Sequence, residues 1–112
     1  RIGMLLGHAG NRLDADIEEL ALVATEFGPD LIVVKEDEGH LRGREPGEVP
    51  AIIQDALRKT GMPESAVPIR PSEIDAALYA LDWARPGDAL VLLIHSGAAR
   101  TRMLAILQAR AG

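Results

Sequence analysis

At 112 residues the chain is long enough for one hydrophobic core and too short for two, so it reads as a single α/β domain over 1–112. A formal net charge of −5, with one Trp, one Tyr and one Phe, argues against a general nucleic-acid surface: a basic stripe and stacking platforms are both missing. The absence of cysteine excludes a disulfide framework and a thiolate metal site.

The elements alternate. Ile2 to Leu6 is an apolar run interrupted only by Gly3 and ending at Gly7, a strand pattern. A helix follows from about Asp14 to Glu26, with Ile17, Leu20, Ala21, Ala24 and Phe27 on one face and capping-box spacing between Asp16 and Glu19. Leu31-Ile32-Val33-Val34 is unbroken and largely β-branched, as expected of a strand covered on both faces. The second helix carries Val49, Ile52, Ile53, Ala56 and Leu57 at core-facing spacing. Pro50 falls in its first turn, where a missing N–H costs nothing, and Gly61 closes it.

Ala66-Val67-Pro68-Ile69 is a weaker strand whose proline suggests an edge position or a strand start. Ser72 caps a third helix bearing Ile74, Ala77, Leu78 and Leu81. Pro86-Gly87-Asp88 is a turn that launches Ala89 to Ile94, the strongest strand pattern. A fourth helix covers about Ala99 to Ala109, with Met103, Ile106 and Leu107 on one face. Four strands alternating with four helices predict a Rossmann-like three-layer α/β/α fold around a mostly parallel sheet with right-handed crossovers. No apolar run reaches the roughly 18 residues of a membrane span and no signal-peptide pattern opens the chain, so the expected location is cytoplasmic, with no membrane partner. The start at Arg1, directly before a strand pattern, reads as a piece of something longer.

In such a sheet ligands bind at the carboxyl ends of the strands. That selects three loops: His8 to Leu13, Lys35 to Gly47, and His95 to Ala99. All three histidines, His8, His40 and His95, fall in them, but their spacing matches no ligand motif and polar residues collect on loops anyway. Neither G-x-x-x-x-G-K-[ST] nor G-x-G-x-x-G is present. Asp14, Asp16, Glu18 and Glu19 open the first helix and would repel a phosphate placed there. The last loop is opposite in character: Ser96, Gly97 and Arg100 form an anion-compatible helix start, with a solvated surface as the alternative.

The segment Asp37 to Glu48 is the most informative. Arg42 and Arg44 flank Gly43, pairing two guanidinium forks with a backbone that can be approached closely. Asp37 and His40 sit beside them as substrate-binding candidates. A local salt-bridge lattice with Asp37, Glu38, Glu45 and Glu48 is the alternative reading.

Three stretches carry a family resemblance: Gly10-Asn11-Arg12-Leu13-Asp14-Ala15-Asp16-Ile17, then Glu36-Asp37, then Leu41-Arg42-Gly43-Arg44-Glu45-Pro46-Gly47-Glu48. Together they resemble the C-terminal domain of Mur-type ligases, most nearly that of cyanophycin synthetases, which carry G-D-R-R-D-E-D-I and L-R-G-R-x-x-G-E in this order. Arg85-Pro86-Gly87-Asp88 before an apolar strand extends the likeness, which covers roughly Ile2 to Ile94. The R-G-R-x-x-G-E element is fairly specific, whereas P-G-D before a strand is weak.

The resemblance implies part of an ATP- and Mg-dependent ligase that joins a carboxylate to an amine through an acyl phosphate. In that family the nucleotide is held mainly by a separate central ATPase domain, over which the C-terminal domain closes to position the incoming amino acid or peptide. It places Arg42 and Arg44 on an anionic substrate group or the partner domain, and Asn11 and Arg12 at the interdomain nucleotide edge. It also implies that the isolated domain is inactive.

Departures are visible. Asn11 replaces the family's acid, a D-Y-A-H-N-P segment would precede Arg1, and Ile94-His95-Ser96-Gly97-Ala98 lacks the lysine of G-K-G-H-E. The rival is a non-catalytic α/β binding or oligomerisation module built on the same fold. A free-standing response-regulator-like or hydrolase domain is weaker, since neither an acidic cluster after the first strand nor a Ser-His-Asp arrangement supports it.

Overall fold

The computed structural model describes residues 1–7, 14–35, 45, 47–70, 72–92 and 97–111. Within them four strands, β1 (Ile2–Leu6), β2 (Leu31–Lys35), β3 (Ile69–Arg70) and β4 (Ala89–Val91), form one all-parallel sheet in the order β3-β2-β1-β4. The helices are α1 (Asp14–Thr25), α2 (Glu48–Lys59), α3 (Glu73–Trp83) and α4 (Gly97–Ala111). Helices on both faces make the three-layer α/β/α, Rossmann-like architecture that the alternating pattern predicts. No helix among the described residues is long and apolar enough to cross a membrane.

The alternation of side chains along a strand builds two cores. Met4 and Leu6 of β1 stand in register with Ile32 and Val34 of β2. On that face they meet Ile17, Ala21 and Ala24 of α1 and Val49, Ile53, Ala56 and Leu57 of α2. On the other face Leu5, Leu31 and Val33 meet Ala76, Ala77 and Ala80 of α3 and Met103 of α4. Each fully buried Val, Leu or Ile contributes about 1.5–3 kcal/mol relative to exposure.

The first half of the chain follows its pattern closely. Pro50 lies in the first turn of α2, and Gly61, at φ 101, follows its cap at Thr60. Asp16 lies inside the first turn of α1 rather than at a cap. Phe27, predicted on the buried face, is 65% exposed because the helix stops at Thr25 and the chain turns through Gly28 at φ 64.

The second half differs more. A 3-10 turn occupies Glu64–Ala66, and β3 is only Ile69–Arg70, although pairing begins one residue earlier through Val34 N donating to Pro68 O at 2.8 Å. It is an edge strand, as its proline suggests. β4, the strongest strand pattern, is the opposite edge and is exposed at Ala89 and Val91. The pattern predicts continuation to Ile94, but Leu92 is already outside the strand, and Leu93 and Ile94 lie outside the described residues. Ser72 caps α3 as expected, its hydroxyl accepting from Asp75 N at 3.3 Å. The buried face of α3 is made of alanines, while Ile74, Leu78 and Leu81 are only half-buried. Small side chains let the helix axis lie close to the sheet, and the larger ones fill the flanks.

Gly3 within β1 and Gly7 just after it each accommodate a large neighbour. A Cβ on Gly3 would stand 2.9 Å from Trp83 Cζ3 and 2.9 Å from Leu90 Cδ2. A Cβ on Gly7 would stand 2.9 Å from both Lys35 Cγ and the Lys35 carbonyl oxygen.

Candidate functional site

All four strands run the same way, so their carboxyl ends share one edge of the sheet. The chain runs outward from β1 to β2 to β3 and then returns to place β4 on the far side of β1. The topological switch point therefore lies between β1 and β4, the position at which open α/β sheets bind ligands.

The sequence-predicted groups distribute along this edge by connectivity. Asn11 and Arg12 belong to the segment that joins β1 to α1, and Ser96 to the one that joins β4 to α4. Those two segments leave the strands that flank the switch point. Asp37, His40, Arg42 and Arg44 belong to the segment that leaves β2, next to β1 on the other side. Asn11, Arg12, Asp37, His40, Arg42, Arg44 and Ser96 lie outside the described residues, as do His8 and His95.

Gly97 and Arg100 are described, and both are exposed in the first turn of α4. That turn carries no acidic residue, and Thr101 Oγ1 donates back to Gly97 O at 3.1 Å. The first turn of α1, by contrast, contains Asp14 and Asp16. The two helix starts thus differ in charge: acidic at α1, without a carboxylate at α4.

One residue of the edge was assigned by sequence to a loop and is instead core. Lys35 is the last residue of β2, 1% exposed, and its ammonium is ion-paired and hydrogen-bonded to Glu73 in the first turn of α3. The Glu73 side chain is 12% exposed. Lys35 continues the inward alternation of Leu31 and Val33, which was the available signal: a charged residue at the next in-facing position of a buried strand. Its neighbour in register on β3 is Arg70, exposed, with its guanidinium 4.7 Å from the Tyr79 ring centroid.

The amino edge holds a second charged cluster, on the side away from ligand positions. Arg1 donates to both carboxylate oxygens of Asp88, at 2.7 and 3.3 Å, and lies 4.1 Å over the Trp83 ring. Arg85 N donates to Asp88 Oδ2 at 2.8 Å. The Arg1 hydrogen bond, then the Arg85 N–H, hold the Asp88 carboxyl well below the usual carboxylate range, and the same bond raises Arg1. Asp30 accepts from Ile2 N at 2.8 Å and so anchors the start of β1. This cluster sets where β1 and β4 begin. An open groove over the outer side of α1 and α2, lined by Glu18, Glu48, Gln54, Asp55 and Arg58, lies away from the switch point and mixes both signs of charge.

No protein-family model matches this sequence, and no curated protein matches it.

Proposed function

We propose that this chain is the C-terminal domain of an ATP-dependent carboxylate–amine ligase of the Mur or cyanophycin synthetase type, closing over a central ATPase domain and positioning the incoming amino acid or peptide. The observation that supports the reading is the placement of its two motif segments. Residues 10–17, resembling the family's first motif, run from the connection after β1 into the start of α1, and residues 36–48, resembling its second, connect β2 to the start of α2. β1 and β2 are adjacent and in parallel register, so both motifs are rooted at one edge of one sheet.

In this reading the domain works by electrostatics and placement. ATP and Mg supply the activation of the carboxylate and are held mainly by the central domain. Arg42 and Arg44 bind the anionic group of the substrate, as planar guanidinium forks do with carboxylates and phosphates. Asp37 and His40 belong to the same segment, and Asn11 and Arg12 to the interdomain nucleotide edge. Gly97 and Arg100, with Ser96 before them, complete an anion-compatible rim. Because ligases of this type act between domains, the isolated domain is inactive.

The test is kinetic and uses the ligase that contains this domain. An Arg42→Ala, Arg44→Ala double variant should raise the KM for the amino-acid or polymer substrate while leaving the melting temperature in place. Unaltered kinetics would remove these arginines from substrate binding. Absence of ATP-dependent amide formation by the wild-type protein, across a panel of amino acids, would remove the ligase reading itself.

A further inference from the structure

We propose that the β4 edge of the sheet is an interface between two copies of this chain, in which the α4 helix of each copy covers the bare face of β4 in the other; the inference is independent of the ligase reading.

β4 is covered on one face only. Leu90 packs on the core beneath α3 and α4, whereas the core beneath α1 and α2 takes, among the described residues, none from β4. Side chains alternate along a strand, so Ala89 and Val91 point to the α1 side. There they are exposed, Val91 by 39%, beside Ile2 and Met4 in register on β1. The edge itself is undefended. β3, at the opposite edge, is two residues long, follows Pro68 and contains Arg70, devices that block further pairing. Ala89-Leu90-Val91 carries neither a charge nor a proline.

The chain contains a cover that fits. α1 joins β1 to β2 and α2 joins β2 to β3, so α1 is the helix nearer β4 on the bare face. It is acidic and has no basic residue, and Asp16, Glu19 and Val23 lie exposed along one flank at i, i+3 and i+7. α4 has no acidic residue, and Arg100 and Leu104 are exposed one turn apart, Leu104 by 59%. Each helix thus offers an apolar side chain one turn from a charge, and the two charges are opposite.

Symmetry selects the arrangement. α4 packs on the α3 face, and the bare surface lies on the α1 face. A twofold axis running along the strands exchanges the faces and so delivers the α4 of each copy to the α1 face of the other. It also preserves direction. Both helices begin at the carboxyl edge, so Arg100 arrives at the level of Asp16 and Glu19, and Leu104 at that of Val23. A twofold perpendicular to the sheet would leave the faces unexchanged and set α4 against α4, arginine against arginine. The first arrangement is self-complementary, as a closed dimer requires.

Sedimentation equilibrium of the 112-residue protein should show a dimer whose dissociation constant rises with salt, because exposed charge pairs are screened. A monomer at every concentration would overturn the inference and leave the face to a partner of another kind. Leu104→Glu should abolish the dimer without lowering the melting temperature, since Leu104 belongs to neither core. Arg100→Glu and Glu19→Lys should each weaken the dimer about tenfold, because the twofold repeats every reversed contact. An equimolar mixture of those two variants should regain wild-type affinity as a heterodimer, in which both contacts again join opposite charges. Variants that leave the dimer unchanged, or a mixture no tighter than either variant alone, would overturn the inference.

Discussion

Replacing Gly7 with alanine tests the closest approach at the carboxyl edge. The added Cβ would lie 2.9 Å from Lys35 Cγ and from the Lys35 carbonyl oxygen, against 3.4–4 Å for ordinary contact. The shortfall of about 0.5 Å cannot be absorbed by the carbonyl, which is backbone, and the Lys35 stem is held by its buried ion pair. Overpacking of this kind costs about 1–3 kcal/mol. Gly7 is not in the left-handed region, so alanine recovers about 0.4–1 kcal/mol by restricting the unfolded chain. The net expectation is a loss of about 1–2 kcal/mol. With an unfolding entropy of about 2.1 cal/mol/K per residue, that lowers the melting temperature by about 4–8 °C, measured by calorimetry or circular dichroism. Gly3→Ala is the internal comparison. It meets only side-chain atoms, on Leu90 and the Trp83 ring, and no backbone, so its loss should be smaller. A Gly7→Ala protein that melts at or above wild type would refute the described packing of β1 against β2.

Two further perturbations read other parts of the fold. Ser72→Ala removes the hydroxyl that accepts from Asp75 N; because that bond is long, at 3.3 Å, the loss should fall at the low end for caps, about 0.5–1 kcal/mol or roughly 2–4 °C, and an unchanged melting temperature would deny the cap any energetic role. Asp88 has a folded-state pKa depressed by Arg1 and the Arg85 N–H, so it contributes stability above its unfolded value of about 3.9, and that contribution disappears as pH falls toward the folded value. Asp88→Asn should therefore melt lower than wild type at pH 7 and decline less on acidification below about pH 4; parallel curves for the two proteins would contradict the assignment.

The sequence was most legible where local signals and burial agree. β1 and α2 fall where their patterns put them because apolar period, proline placement and the closing glycine all point the same way. Phe27 was misplaced because its apolar character outweighed the adjacent Gly28-Pro29 stop. The α3 contact face was hidden for a different reason: a stripe of large residues is conspicuous, whereas close helix–sheet approach selects Ala76, Ala77 and Ala80. β4 is a strand, as its apolar run predicts, but its place at the edge of the sheet depends on a return across the sheet that no local pattern encodes. At the site, motif spacing singled out residues 36–48 but passed over Lys35. A charge next to a loop reads as part of the loop, and only the count of alternating positions from Leu31 reveals that it points inward. Glu73, distant in sequence, has no local signal at all.

Because β1 pairs with β2 on one side and with β4 on the other, loop closure governs the order in which this sheet can assemble. Gly3 meets Leu31 within the first third of the chain, but its other partner is Leu90. Loop-closure entropy rises with the length of chain closed, and contacts this distant in sequence slow folding. The α1/α2 half can form early from neighbouring pieces. Leu5, Leu31 and Val33 must wait, uncovered, for α3 and α4. A nascent chain released before residue 73 would present that apolar face to whatever is nearby, so the risk of misassembly in this domain is concentrated on one side of one sheet.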